Sequence, residues 1–205
     1  ERDLGVMVSH EPQDQKKKQS RFKFDLGLFN GQGLSGTTDF DSRKDLISRV
    51  FIRPDTKKKL ELSGGVSFLA GGWRNGTKYV YETRKQVNGN PVFEVDSAAG
   101  NLGKTASRNY YGADIQLKLK HAWGETEWRS EYWFGKQPGT VATSVNPGSL
   151  PASNGIPLPT YIRRFDGVFL LFLQNIINNR HQLMIKFDWY DPNTVVSGKE
   201  TGNNN

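Results

Sequence analysis

The stretch that decides the fold runs from Tyr161 to Asp191 and reads YIRRFDGVFLLFLQNIINNRHQLMIKFDWYD. From Gln182 onward, apolar and polar residues alternate at nearly every position. Because successive side chains of a β-strand point to opposite sides, such a segment has one apolar face and one charged face. The preceding arm is longer and more apolar, and the polar sequence NIINNR separates the two arms. The stretch therefore predicts a hairpin whose strands, of about ten residues, have the dimensions of transmembrane β-strands.

The alternation also assigns side chains of this hairpin to its two faces. The apolar face is expected to carry Phe165, Phe169, Leu171, Leu173, Leu183, Ile185, Phe187 and Trp189. The opposite face is expected to carry Arg164, Asp166, Gln174, Lys186 and Asp188. The hairpin is thus predicted to separate lipid from water.

The same alternation recurs along the chain and gives eight strand candidates. They cover residues 3–10, 21–30, 44–54, 59–72, 110–120, 126–136, 161–174 and 182–191. Residues 44–54 also fit a helix, because their apolar residues share one helical stripe, but the β-branched content and the following turn favour a strand. Gly64 and Gly65 inside the fourth candidate indicate a bend or a bulge.

The connections between the candidates alternate in length. From the second strand onward, long connections at 31–43, 72–108 and 137–160 alternate with short ones at 55–58, 121–125 and 175–181. Outer-membrane barrels have short periplasmic turns and long extracellular loops. In a soluble sandwich, no comparable constraint places all the long loops at one end. The pattern predicts an all-β, up-and-down antiparallel transmembrane β-barrel, with the whole chain, 1–205, in one domain. Residues 72–108 and 137–160 are its long extracellular loops, and Asn88-Gly89-Asn90 predicts a small hairpin in the first of them.

Composition agrees with this interpretation. Hydrophobic residues make up only 35% of the chain and aromatic residues 12%, as expected when every second strand residue faces lipid. The longest apolar run, residues 168–173, is far shorter than the roughly 20 residues of a transmembrane helix. The absence of cysteine excludes disulfides and thiolate metal sites. The net charge of +7 is spread over all strands with acids interleaved, which argues against nucleic-acid binding.

Aromatic residues are expected at both ends of the strands, as at lipid–water boundaries. The outer end would carry Phe29, Tyr110, Tyr111, Tyr132, Trp133, Phe134, Tyr161, Trp189 and Tyr190. The inner end would carry Trp123 and Trp128. The alternative is that these are core aromatics of a soluble β protein.

Strand parity places basic residues on the face opposite to lipid, where they would line a pore. These candidates are Arg21, Lys23, Arg49, Arg53, Lys118, Lys120, Arg129, Arg164 and Lys186. The acids expected beside them are Asp25, Glu61, Asp114, Glu127, Glu131, Asp166 and Asp188. Rings of charge set ion selectivity through their field, so a mild basic excess predicts weak anion preference. The alternative is that each charge only pairs across strands and solvates the lumen.

Sequence motifs give little support for catalysis. His10, His121 and His181 fall at turns or strand ends without metal-ligand spacing. The glycine-rich GQGLSG lacks the lysine and the following helix of a phosphate-binding loop, and paired carboxylates such as Glu127 and Glu131 are common in wet lumens. We therefore expect neither enzymatic activity nor a cofactor.

Three segments carry a family resemblance. DLGVMV (3–8), EYWFGKQPG (131–139) and YIRRFDGVFLLFLQNI…NRHQLMIKFDWYDPNT (161–194) resemble outer-membrane porins of the phosphate-selective porin O/P superfamily, in the form common among Bacteroides-type bacteria. The resemblance is best over residues 1–10 and 126–200. It implies a water-filled barrel of about sixteen strands, of which this chain is roughly half. It further implies a bacterial outer-membrane location, contact with outer-membrane lipid, a homotrimer, and passage of small hydrophilic or anionic solutes.

Two other classes of protein stay open. One is a soluble β-barrel or sandwich that binds a ligand such as a carbohydrate through Trp73, Trp123 or Trp128. The other is a small eight-stranded membrane barrel serving as an adhesin or anchor, since eight strands can close around a filled interior.

Overall fold

The computed structural model describes residues 3–11, 21–32, 39–55, 57–85, 89, 91–144 and 147–196. In these ranges the chain is all-β, as predicted, apart from a 3-10 turn at Ala99–Asn101 and 3-10 geometry at Arg21. The strands are β1 (Gly5–His10), β2 (Phe22–Phe29), β3 (Asp45–Ile52), β4 (Leu60–Arg74), β5 (Val80–Lys85), β6 (Pro91–Asp96), β7 (Thr105–His121), β8 (Gly124–Gly139), β9 (Ala152–Ser153), β10 (Ile156–Pro157), β11 (Thr160–Asn175) and β12 (Gln182–Asp191). The ambiguous segment 44–54 is thus a strand and not a helix.

Eight strands form an antiparallel meander in the order β1-β2-β3-β4-β7-β8-β11-β12. The hairpin of β5 and β6 joins the same sheet, because β5 pairs in parallel with Thr160–Ile162 at the start of β11. Strands β9 and β10 form a separate two-stranded ribbon. Among the described residues, β1 and β12 each pair on one side only, so the sheet is open. Closure into a barrel stays a prediction.

Long connections lie at one end of the meander and short ones at the other, which we call the long-loop end and the short-loop end. The long connections comprise residues 30–44, 75–104 and 140–159, and the short ones comprise 53–59, 122–123 and 176–181. The connection 11–21, of medium length, joins β1 to β2 at the short-loop end. Strands β4, β7, β8 and β11 extend beyond their predicted bounds, so the connections expected at 72–108 and 137–160 are shorter at both ends. The predicted hairpin is present as the pairing of β5 with β6, but it is docked on β11 and does not stand free. Asn88 and Asn90 of its predicted turn lie outside the described residues.

One side of the meander, the apolar face, carries hydrophobic side chains from all eight strands, and on seven of them these are exposed. They are Leu4, Val6, Val8, Phe22, Phe24, Leu26, Leu28, Val50, Ile52, Leu60, Leu62, Val66, Tyr111, Ile115, Leu117, Leu119, Trp128, Tyr132, Phe134, Leu183, Ile185, Phe187 and Trp189 on seven of the strands. On β11, the same side carries Val168, Leu170 and Phe172, which are half-buried. Val66, in mid-sheet, is 59% exposed. Soluble monomers rarely leave so large a contiguous apolar surface uncovered.

The opposite side, the polar face, carries most of the buried side chains, and many of these are polar. Buried polar side chains of this face are Asp45, Glu61, Ser63, Arg108, Glu127, Gln137, Arg163 and Asn175. Within the described ranges, the buried hydrophobic residues are only Trp73, Ala106, Phe165 and Val196. The distribution is the reverse of that in a water-soluble sheet, whose apolar side is covered and whose charged side is wet.

Strand β11 departs from the predicted faces. Its pairing places Phe165, Phe169, Leu171 and Leu173 on the polar face, and Arg164, Asp166 and Gln174 on the apolar face. The prediction that Arg164 and Asp166 share a face with Lys186 is therefore wrong. The centre of β11 is apolar on both sides, so its own alternation does not distinguish them. The register with β8 distinguishes the two sides, because Phe169 lies opposite Glu131 and paired residues point to the same face.

A glycine of the polar face allows aromatic rings of the two flanking strands to meet. Gly135 of β8 lies between Tyr110 of β7 and Phe165 of β11 in the ladder. The two rings meet edge to face over it, with centroids 4.8 Å apart. A Cβ at Gly135 would collide with the carbonyl oxygen of Asn109. The position therefore requires glycine for close approach of the backbone.

We expect Gly135→Val to lower the free energy of unfolding by about 1–3 kcal/mol, because it forces backbone and rings apart. Ala113→Val on the exposed apolar face is the matched control, with an expected change within about 0.5 kcal/mol. Denaturant unfolding followed by tryptophan fluorescence measures both. Equal stability of the two variants would contradict the assigned register.

Candidate functional site

Charged side chains of the polar face form ion pairs across the strands. Arg49 Nη2 of β3 lies 2.7 Å from Asp114 Oδ2 of β7, so this pair crosses over β4. Lys118 Nζ lies 3.1 Å from Glu125 Oε1 and 3.7 Å from Glu127 Oε2. Further pairs join Lys120 to Glu61, Arg129 to Glu127, and Lys186 to Asp188. The face is a charged surface in which each of these cations is neutralised locally.

Similar pairs surround the short-loop end. Arg21 Nη2 lies 2.6 Å from Asp55 Oδ2, and Lys23 Nζ lies 3.4 Å from Asp25 Oδ2. Arg53 pairs with Glu11. Burial acts to raise the pKa of Asp55, but a hydrogen bond from the Lys57 N–H and the Arg21 guanidinium outweigh it and lower that pKa. The Asp55 carboxylate therefore stays charged beside Arg21 at neutral pH.

Eight of the nine basic residues predicted to line a pore lie on the polar face or at the ends of its strands, each beside a carboxylate. Arg164 lies on the apolar face, and the described residues include no carboxylate within 4 Å of it. Among the predicted acids, Asp166 also lies there, where it accepts a hydrogen bond of 2.9 Å from the Tyr132 hydroxyl. The polar face thus brings together the other predicted charges and excludes these two.

Sequence reasoning missed the buried ion pair of Arg108 and Asp45. Asp45 is 1% exposed and Arg108 5%. Arg108 also donates to the carbonyl oxygen of Gly31 at 3.2 Å, and the Gly72 N–H donates to Asp45 Oδ1 at 3.3 Å. The pair therefore joins three strands and a loop at the long-loop end. No alternation signal in the sequence marks this pair, because the residues just upstream of Tyr110 do not continue the apolar alternation of the predicted strand.

The second missed residue is Arg163, which is 1% exposed on the polar face. Its guanidinium donates to the carbonyl oxygens of Thr140 at 3.0 Å and Val141 at 3.1 Å. It also lies over the rings of Phe93 and Tyr161, at 5.8 and 5.5 Å from their centroids. Arg163 is thus a buried cation stabilised by carbonyl dipoles and aromatic faces.

The hairpin of β5 and β6 covers this end of β11. Tyr81 stacks on Tyr161 with ring centroids 4.6 Å apart. Asn193, fully buried, donates from Nδ2 to Thr83 Oγ1 at 3.1 Å. These contacts fix the hairpin to the sheet. It lies on the same edge of β11 as β12, because β5 pairs with the start of β11 and β12 pairs with a later part of it.

The predicted aromatic belt divides between the faces. Tyr111, Tyr132, Phe134 and Trp189 lie on the apolar face, whereas Phe29, Tyr110, Trp133, Tyr161 and Tyr190 lie on the polar face. The rings of Tyr111 and Phe134 are stacked, with centroids 5.4 Å apart. At the short-loop end, Trp128 is 43% exposed on the apolar face and Trp123 lies in the 122–123 turn. The apolar face therefore carries exposed aromatics near both of its ends.

No protein-family model, curated protein or solved structure matches this chain significantly. The porin resemblance of the three sequence segments stays a prediction. In the described ranges, no helix has the length and apolar character needed to cross a membrane. Nor do His, Asp and Glu side chains of that part of the chain gather into a group of three or more that could hold a metal ion.

We expect Arg163→Gln to loosen segment 140–144 from β11. Hydrogen bonds to a charged group contribute about 1.5–3 kcal/mol each, and glutamine cannot reach both carbonyls. Hydrogen exchange of this segment should become faster by about tenfold or more. Arg180→Gln, an exposed arginine of the 176–181 turn, is the control and should leave that rate unchanged. An unchanged rate in Arg163→Gln would show that the guanidinium does not hold the segment.

Proposed function

We propose that this chain is part of an outer-membrane β-barrel porin, a water-filled channel for passive diffusion of small hydrophilic solutes with weak anion preference. The single observation that carries the proposal is the opposition of the two faces. One side of the same sheet is contiguous exposed hydrocarbon, and the other is an ion-paired polar surface. Lipid outside and water inside satisfy both sides at once.

The dimensions of the strands support a bilayer location. β7, β8 and β11 contain 17, 16 and 16 residues, more than the roughly 9–11 that cross the hydrocarbon core at a tilt of about 45°. Aromatic rings such as Tyr111 and Trp128 lie towards opposite ends of the apolar face, as in the girdles of such barrels. The long-loop end then faces the outside of the cell.

The charge arrangement supports weak selectivity. Local ion pairs such as Arg49 with Asp114 leave little net field along the polar face. Arg163 adds a buried cation whose contacts are carbonyl oxygens and rings at the long-loop end. A pore lined in this way favours anions only slightly.

The open edges of β1 and β12 require additional pairing in a membrane. Unpaired backbone N–H and C=O groups are costly in lipid, so the sheet has to close. Further strands of a barrel of about sixteen strands would close it around water, whereas the eight-stranded anchor would close it around packed side chains. The polar face favours the porin over the anchor because its ion pairs lie on a solvent-exposed surface and are not packed into an interior. The side chain of Lys186, for example, is 54% exposed.

The membrane location predicts that arginine substitutions at two neighbouring residues differ in their effect on the stability of the folded protein. Leu117→Arg on the apolar face should make folding into bilayers less favourable by about 2–4 kcal/mol, because it places a charge in hydrocarbon. Gln116→Arg on the polar face, the matched control, should change it by less than about 1 kcal/mol. Denaturant titration of the full chain folded into vesicles measures both.

If the wild-type protein purifies as a monodisperse species without detergent, the membrane proposal is wrong. The soluble ligand-binding alternative would then apply, with the apolar face covered by a further layer of protein.

Channel activity is tested by a reversal potential in a salt gradient across a planar bilayer, using the full-length protein. The wild type should show a small anion preference. Arg49→Glu should shift the preference towards cations, because it replaces a cation of the wall by an anion next to Asp114. Arg49→Lys keeps the charge and should retain the wild-type potential. Absence of conductance would favour the membrane anchor, and cation preference in the wild type would contradict the basic-lumen argument.

A further inference from the structure

A basic cleft lies on the apolar side of the sheet, just beyond the row of aromatic rings at the long-loop end. Phe134 of β8 lies opposite Asp166 of β11, and two residues further along, Lys136 lies opposite Arg164. Two residues of an extended strand span about 6.8 Å. The cationic pair is therefore one step outside the aromatic row and on the same face.

The cleft has a volume of about 640 Å³ and is rich in cations. Its lining includes Arg84, Lys85, Lys136 and Arg164, against the one carboxylate of Glu82. Its walls come from three places: the β5–β6 hairpin, the adjacent ends of β8 and β11, and the segment that follows β12. This convergence gives a concave surface of positive charge.

The carboxylates near the cleft do not neutralise it. Glu82 Oε1 lies 3.0 Å from Lys136 Nζ, and its other oxygen lies 3.4 Å from Arg84 Nη2. Burial acts to raise the pKa of Glu82, but Lys136 and Arg84 outweigh it and lower that pKa, so this single negative charge is shared by two cations. Glu94 pairs with the Nε of Arg84. Arg164 and Lys85 have no ion pair with a described carboxylate.

The cleft is held in shape by contacts that join its walls to one another and to β11. Tyr81 stacks on Tyr161, and Asn193 donates to Thr83, so the hairpin wall is fixed to β11. The Thr194 N–H donates to the main-chain carbonyl of Arg164 at 2.8 Å, which fixes the third wall. A ligand therefore meets cations already placed around one cavity and has little ordering cost to overcome.

The position of the cleft indicates the chemistry of its ligand. A guanidinium and an ammonium side by side match a phosphate group, which accepts hydrogen bonds from both. Next to Arg164 on this face lies Asp166, whose carboxylate accepts a hydrogen bond from the Tyr132 hydroxyl. Beyond it the surface is hydrocarbon and aromatic, so a ligand that fills both regions has a phosphate head and apolar chains. Basic pockets at the edge of a lipid-facing surface bind anionic headgroups by this combination.

We propose that the cleft of Arg84, Lys85, Lys136 and Arg164 binds the phosphate group of a membrane lipid whose acyl chains lie along the apolar face. The proposal rests on the proposed function, because it requires lipid on that side of the sheet. It assigns to Arg164 a role on the lipid side in place of the pore-lining role expected from the sequence.

Lipid binding is tested with the full chain in detergent micelles, by titration with short-chain phosphatidic acid and, in parallel, phosphatidylcholine. The wild type should prefer phosphatidic acid. The double variant Lys136→Gln/Arg164→Gln should bind it on the order of tenfold to thirtyfold more weakly, because two cations are lost. Glu82→Gln should bind it several-fold more tightly, because the cleft loses its carboxylate while the stacking and amide contacts of the hairpin stay. The control Lys57→Gln/Arg180→Gln removes the same charge from the short-loop end and should bind as the wild type does.

Three results would overturn the proposal. Equal loss in both double variants would show general attraction of anions to a basic protein. Competition by inorganic phosphate at the same concentration as the lipid would show a site for a soluble anion. Unchanged binding in Lys136→Gln/Arg164→Gln, with all variants still folding into vesicles, would remove the headgroup site and leave the porin proposal standing. A wild type that stays in water without detergent would instead refute the porin proposal itself.

Discussion

The structure depends on one constraint, the register of the antiparallel ladder. Side chains alternate across each strand, so a slip of one residue would exchange the faces of that strand and bring charges to the apolar side. The longest pairings fix this register, those of β4 with β7, β7 with β8, and β8 with β11. The uncovered hydrocarbon, the ion-paired face and the basic cleft all follow from it.

The sequence predicted those parts of the fold that depend on local chemistry. Alternation identified all eight meander strands, and turn chemistry around Gly89 identified the hairpin. Strand ends were missed where alternation weakens: in the segment before Tyr110, Arg108 interrupts the apolar pattern although it is part of β7. The faces of β11 were missed because both are apolar in mid-strand, and only pairing with β8 distinguishes them.

The candidate site was predictable in composition but not in its partnerships. Strand parity correctly assigned most of the charged residues to one face of the sheet, because alternation is clear on a regular strand that carries charges. The partners could not be foreseen, because Arg49 and Asp114, or Arg108 and Asp45, are more than 60 residues apart. Arg163 was harder still, because its acceptors are main-chain carbonyls of a loop, which no side-chain pattern marks.

The parallel contact between β5 and β11 has a consequence for the order in which the molecule assembles. In the meander, each strand pairs with the strand that comes before it in the meander order. The sheet can therefore grow strand by strand, at a small cost in loop-closure entropy for each step. β5 precedes β7 and β8 in the chain, yet Val80 pairs with Thr160 of β11, so its docking has to wait until those strands are in place. We expect the hairpin to join the sheet late in folding and to leave it early in unfolding. The long-loop end of the sheet would thus be completed only after the meander strands have paired.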